Sequence, residues 1–82
     1  MTAYFHGCGR TPKCKVLAIT RDGKRVQIQE LNRGNPMELR GADPRPYWTD
    51  ERHMYAKCKT EGGRFKLEGK PDYTGVPVED EA

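Results

Sequence analysis

The residues of this 82-residue chain best suited to chemistry are two histidines and three cysteines. They fall as His6-x-Cys8, Cys14 and His53-x₄-Cys58, and these ligand types hold zinc in small domains with thin cores. No Cys-x₂-Cys pair is present, though, and Cys58 falls on the apolar side of a strand pattern, where a free thiol behaves as a small core residue. Cys14 precedes a strand and is equally suited to burial. The set His6, Cys8, Cys14, His53 and Cys58 thus falls short of a zinc motif, and neither metal nor cofactor is expected. Cys8 and Cys14 would close a small loop if oxidised, which a reducing compartment disfavours. The same histidines beside Cys8, Asp50 or Glu51 would make a nucleophile with its base, or the acid–base pair of a small ribonuclease. Nothing in the spacing brings those groups together. The loop Gly7-Cys8-Gly9-Arg10-Thr11-Pro12-Lys13 has the glycines of a phosphate loop, but neither its Gly-Lys-Ser/Thr ending nor a following helix. No catalytic residue is assigned, and the chain is expected not to be an enzyme.

Binding chemistry is better supplied. Arg10, Lys13 and Lys15 gather around the first loop, and Arg21, Lys24 and Arg25 around a turn at Asp22-Gly23. A two-stranded ribbon with a basic tip fits a nucleic-acid groove, and Gln27 and Gln29 on its polar face are side chains that pair with adenine. Tyr47, Trp48 and Tyr55 would stack on bases if exposed. Against this, basic residues at a hairpin tip are ordinary solvated charge, and a thin core has its own use for aromatics. Arg45-Pro46-Tyr47-Trp48 is a proline-stiffened segment of residue types enriched at protein interfaces. Trp48 serves either that interface or the core.

These residues need a scaffold, and the hydrophobic pattern describes one. Lys15 to Leu31 alternates about Asp22-Gly23, a pair favoured in two-residue type I′ hairpin loops. In that register Leu17 faces Ile28, Ile19 faces Val26, Lys15 faces Glu30 and Arg21 faces Lys24. Val16, Ala18 and Thr20 then share a mostly polar face with Gln29, Gln27 and Arg25. A second hairpin is expected from about Arg52 to Gly69, turning at Gly62-Gly63. It would place Met54, Ala56, Cys58 and Thr60 on one face with Phe65 and Leu67, set Lys57 against Glu68, and leave Lys59 against Lys66 unfavourable. Thr2 to His6 suits a short strand. Asn35, Pro36, Glu38 and Gly41 carry the capping signals of a short helical turn, and a second turn fits near 49–53.

The expected fold is therefore mainly β: two antiparallel hairpins and an N-terminal strand, forming a small sheet or a partly closed barrel. At most one or two short helical turns, near 35–41 and 49–53, accompany them. The core draws on Val16, Leu17, Ile19, Val26, Ile28, Leu31, Leu39, Trp48, Met54, Phe65, Leu67 and the tyrosines. Residues 1–78 form one domain by size, and 79–82 an acidic, mobile end.

Composition agrees with a module that works through its outside, being 34% apolar and 33% charged. No apolar run approaches the ~20 residues needed to span a bilayer. The opening residues lack a secretory pattern, and the odd cysteine count argues against a disulfide framework, so a cytoplasmic location is expected. Residues 1–70 carry 15 basic and 8 acidic side chains, while 71–82 carry four acids and no base. The acidic end either solvates the terminus or folds back over a basic face, weakening non-specific anion binding. Small size, high charge and the lack of a catalytic signature resemble, as a class, the accessory proteins and inhibitors of phage and mobile elements. The expected function is a non-enzymatic module docking on a protein or nucleoprotein complex through Arg10, Lys13, Lys15, Arg21, Lys24, Arg25, Arg45, Tyr47 and Trp48. Direct nucleic-acid binding by the basic hairpin is the alternative, and a small ribonuclease-like enzyme the minor one; no membrane or small-molecule partner is expected.

Overall fold

A computed structural model describes residues 1–7, 11–31 and 45–81. Within them the chain forms strands β1 (Thr2–Phe5), β2 (Lys13–Ile19), β3 (Arg25–Glu30) and β4 (Tyr47–Asp50). A single 3₁₀ turn, Glu51–His53, leads into β5 (Met54–Tyr55), and β6 (Lys57–Glu61) and β7 (Arg64–Glu68) follow. The first five strands make one antiparallel sheet in the order β4-β3-β2-β1-β5, and β6 and β7 make a separate two-stranded ribbon. The two edge strands, β4 and β5, are consecutive in the chain, so the sheet curls into a half-barrel. Across its concave side the rings of Phe5 and Tyr47 meet edge to face at 6.2 Å. The mainly β architecture and the helical turn near 49–53 are as expected; the turn expected at 35–41 lies outside the described residues.

The first hairpin keeps its expected register only near the turn. Ile19 pairs with Val26 and Ala18 with Gln27, then a bulge at Leu17 shifts the ladder so that Val16 faces Ile28, Lys15 faces Gln29 and Cys14 faces Glu30. The expected pairs Leu17–Ile28 and Lys15–Glu30 are thereby corrected. A bulge adds one residue to one strand, bends it and raises its twist, which is the deformation a curled sheet requires. It also turns Cys14 and Val16 inward. The buried cluster is Ala3, Cys14, Val16, Val26, Ile28 and Met54, with Phe5, Ile19, Tyr47, Tyr73 and Val76 packed against it. Leu17 is only half-buried.

The turn is also wider than two residues. Gly23 N–H donates to the Thr20 carbonyl at 2.9 Å, and Gly23 has φ 74°, a conformation glycine adopts without a Cβ penalty. Asp22 Oδ1 accepts from the Thr20 hydroxyl at 2.6 Å and from Lys24 N–H at 2.9 Å. These local bonds hold the pair's own polar groups and leave Arg21 and Lys24 exposed, not facing each other as a ladder pair.

The second hairpin follows its expected register throughout, from Lys57–Glu68 to Glu61–Arg64. Gly62 and Gly63, at φ 58° and 77°, supply the positive angles a type I′ loop demands. The unfavourable Lys59–Lys66 pair is bridged by Glu68, which lies 3.3 Å from one ammonium and 3.5 Å from the other. Met54, however, belongs to the main sheet, where it pairs with Phe5. Phe65, expected in the core, is 71% exposed because the ribbon leaves the half-barrel and packs neither face on it fully.

After the ribbon, Lys70 Nζ donates to the carbonyls of Glu51, Arg52 and Met54 at 3.2–3.4 Å and lies 5.2 Å from the centre of the Tyr55 ring. Tyr73 hydroxyl donates to Glu51 at 3.1 Å, and burial with that carboxylate nearby raises its pKa. The chain then runs beside β2, where Val78 forms a parallel bridge with Ile19.

Candidate functional site

Cross-strand pairing sorts the half-barrel into two faces. Ala3, Phe5, Cys14, Val16, Val26, Ile28, Tyr47, Thr49 and Met54 alternate inward, by register and by burial. Their neighbours must point outward. One outward row is Tyr55, Tyr4 and Lys13, across β5, β1 and β2. The next is Thr2, Lys15 and Gln29, across β1, β2 and β3. Further along, Gln27 sits opposite Trp48, and Arg25 opposite Asp50, across β3 and β4. The outer face therefore interleaves three aromatic rings with two lysines, an arginine and two glutamines.

Lys15 is exposed, while Lys13, Tyr4, Tyr55, Gln27, Gln29 and Trp48 are half-buried, as side chains lying across a sheet surface are. Tyr47 and Trp48, adjacent in sequence, separate here. The Tyr47 ring goes inward, with its hydroxyl donating to Glu30 at 3.1 Å, and Trp48 goes outward. Among the described residues two acids lie on this face: Asp50, held by Arg25 at 3.3 Å and Arg52 at 3.4 Å, and Glu81, 2.9 Å from Arg25.

The remaining expected contact residues scatter. Arg21 and Lys24 are exposed at the hairpin tip, which Glu51 N–H fastens to the 3₁₀ turn by donating to the Lys24 carbonyl at 2.9 Å. Arg45 is exposed just before β4, and Arg10 lies outside the described residues. Arg25 is not a free cation. Its Nε and Nη2 donate to the two carboxylate oxygens of Glu81 at 2.9 and 3.0 Å, and Nη1 donates to Asp50 at 3.3 Å. These bonds push the guanidinium pKa further up and hold the Glu81 carboxyl below its ordinary value.

The zinc set is not brought together in the described part of the chain. His6 N–H donates to the His53 carbonyl at 2.9 Å, so the two backbones touch, but the His6 imidazole is exposed beside Thr11 and the His53 ring stands edge-on to Phe5. The Cys14 thiol is buried and directed at the Pro12 carbonyl 3.5 Å away, Cys58 lies on the ribbon, and Cys8 lies outside the described residues. Among the described residues no three His, Cys, Asp or Glu side chains gather. The carboxylates that a histidine base would need are engaged elsewhere. Asp50 holds Arg25 and Arg52, and Glu51 holds Tyr73 and Lys70. Beside them lies an open polar hollow of about 350 Å³ lined by Gly23, Lys24, Asp50, Glu51 and Arg52, whose charges are of both signs.

Among the described residues no helix is long and apolar enough to cross a membrane. No family model, curated protein or solved structure matches the chain.

Sequence reasoning missed Tyr4 as a surface residue of this face. Its strand and its alternation with Phe5 were readable, but its neighbours Lys13 and Tyr55 are supplied by the order β2-β1-β5, which no local pattern encodes.

Proposed function

We propose that the chain is a non-enzymatic binding module and that single-stranded nucleic acid lies across the outer face of its five-stranded sheet. The observation that carries this reading is the placement of Tyr4, Tyr55 and Trp48 among Lys13, Lys15, Gln27 and Gln29 on one face. Flat aromatic side chains on a sheet accept bases of any sequence by stacking, and lysines between them neutralise phosphates. The Gln27 amide supplies a donor and an acceptor for a base edge. The bulge at Leu17 contributes by bending β2 so that the face curves with its strands. The hairpin tip adds the exposed Arg21 and Lys24 beyond the sheet.

The test is fluorescence anisotropy of a labelled mixed-sequence single-stranded oligonucleotide at two salt concentrations. Binding should weaken steeply with salt, and each phosphate contact removed should flatten the log–log slope by about 0.7. Lys13→Glu with Lys15→Glu should lower affinity at least tenfold, while Lys57→Glu with Lys66→Glu on the ribbon should change it far less. Equal losses from both pairs would reduce the effect to net charge and remove the outer face as the site.

One observation favours a protein partner as a second reading. The ribbon presents Phe65 at 71% exposure on its neutral face, and an uncovered aromatic on a protruding hairpin is suited to an interface. Failure to bind any nucleic acid at low salt, together with a protein partner whose binding Phe65→Ala abolishes, would favour it.

A further inference from the structure

The bond between Arg25 and Glu81 joins residues 56 positions apart and uses the guanidinium fork in the manner of an external ligand. Nε and Nη2 each meet one carboxylate oxygen, at 2.9 and 3.0 Å. A phosphate presents two oxygens to an arginine fork in the same side-by-side geometry. Arg25 belongs to the outer face, in the row next to Gln27 and Trp48. Glu81 thus occupies, on that face, the place a backbone phosphate would take.

The segment that delivers Glu81 is lightly attached. Beyond Val76, which packs on the core, it is held by Ile19 N–H donating to the Pro77 carbonyl at 2.9 Å and Glu79 N–H donating to the Ile19 carbonyl at 3.0 Å. Val78, the residue bridged to Ile19, is 58% exposed, so little apolar area secures the contact. Glu79, Asp80 and Glu81 are all exposed and carry no neighbouring base in sequence. Their charge repels an incoming phosphate as long as the segment lies here, and among the described residues releasing it breaks two backbone bonds and one ion pair.

We propose that residues 77–81 form an intramolecular mimic of a nucleic-acid backbone, with the Glu81 carboxylate standing on Arg25 until a phosphate displaces it. The inference rests on the reading of the outer face as a nucleic-acid surface and adds its regulation. Displacement sets a threshold: weak or short polyanions fail to open Arg25, and longer strands that also engage Lys13, Lys15 and the aromatic rings succeed. Affinity then rises with strand length more steeply than contact number alone requires.

The test compares affinities of the full chain for a single-stranded oligonucleotide across Glu81→Gln, Asp80→Asn, Arg25→Ala and the double variant Glu81→Gln/Arg25→Ala. Glu81→Gln and Asp80→Asn remove the same charge one position apart, but only the first releases the fork. Glu81→Gln should tighten binding about two- to fivefold, the upper part of the range expected when one competing surface charge pair is removed. Asp80→Asn should tighten it less than twofold. In the Arg25→Ala background Glu81→Gln should gain no more than Asp80→Asn does, because the two residues act as one unit. Equal gains from Glu81→Gln and Asp80→Asn, with wild-type binding intact, would overturn the mimic and leave the outer-face reading standing. Absence of binding by the wild type and every variant at low salt would overturn both.

Discussion

Ile28 and Phe65 show how burial, not residue type, sets the energetic weight of a side chain. Both are large and apolar, but Ile28 is fully enclosed between β2 and β4 while Phe65 stands 71% exposed on the ribbon. Ile28→Ala should cost about 2–5 kcal/mol in a urea titration, through lost transfer energy and the cavity left behind. Phe65→Ala should move stability by no more than about 0.5 kcal/mol. The alternation pattern treated the two alike, since it reports which residues share a face but not whether anything covers that face. At Gly23 the constraint is on the backbone. Its φ of 74° lies in the left-handed region, and no heavy atom stands within 4 Å of an added Cβ. Gly23→Ala should therefore destabilise by about 1 kcal/mol through backbone strain alone, measured as a lower urea midpoint with an unchanged slope.

At the scale of elements, local chemistry and long-range order part company. The second hairpin was legible pair by pair, because two adjacent glycines fix a type I′ loop and nothing perturbs the ladder beyond it. The first hairpin was legible as far as Ala18, after which the bulge at Leu17 moved Val16 opposite Ile28. No residue of the run Val16-Leu17-Ala18 announces a bulge, and the need for one arises from the curvature of a sheet whose edges, β4 and β5, are joined by one 3₁₀ turn. The candidate surface was partly legible for the same reason. Lys13, Lys15, Gln27, Gln29, Trp48 and Tyr55 were recognisable as binding types, but their assembly with Tyr4 depends on β1 lying between β2 and β5. The ribbon β6–β7 has two strands and one neutral face without full cover, so it opens more readily than the half-barrel. Amide hydrogen exchange should be faster across 57–68 than at Val16, Val26 and Ile28 by at least an order of magnitude. Equal protection would mean that the ribbon is packed as part of the core.

For the whole molecule, charges divided along the chain meet again in space. Among the described residues, basic side chains stand on the outer sheet, the hairpin tip and the ribbon, and the acidic end reaches back to Arg25. A net charge of +3 conceals this arrangement, in which the Glu81 carboxylate already occupies the guanidinium fork of Arg25. The buried cluster lies on the concave side, whereas Ala18, equally enclosed, sits opposite Gln27 on the outer side of the sheet. The central claim, that bases stack on the outer face, has a reporter built into it, since Trp48 is the single tryptophan. Titrating the protein with an unlabelled single-stranded oligonucleotide while following Trp48 emission tests it most directly. Saturable quenching at low salt, reversed by added salt and reduced by Lys13→Glu with Lys15→Glu, is the predicted result. Unchanged emission under conditions where the oligonucleotide is bound, or no binding at low salt, would contradict it.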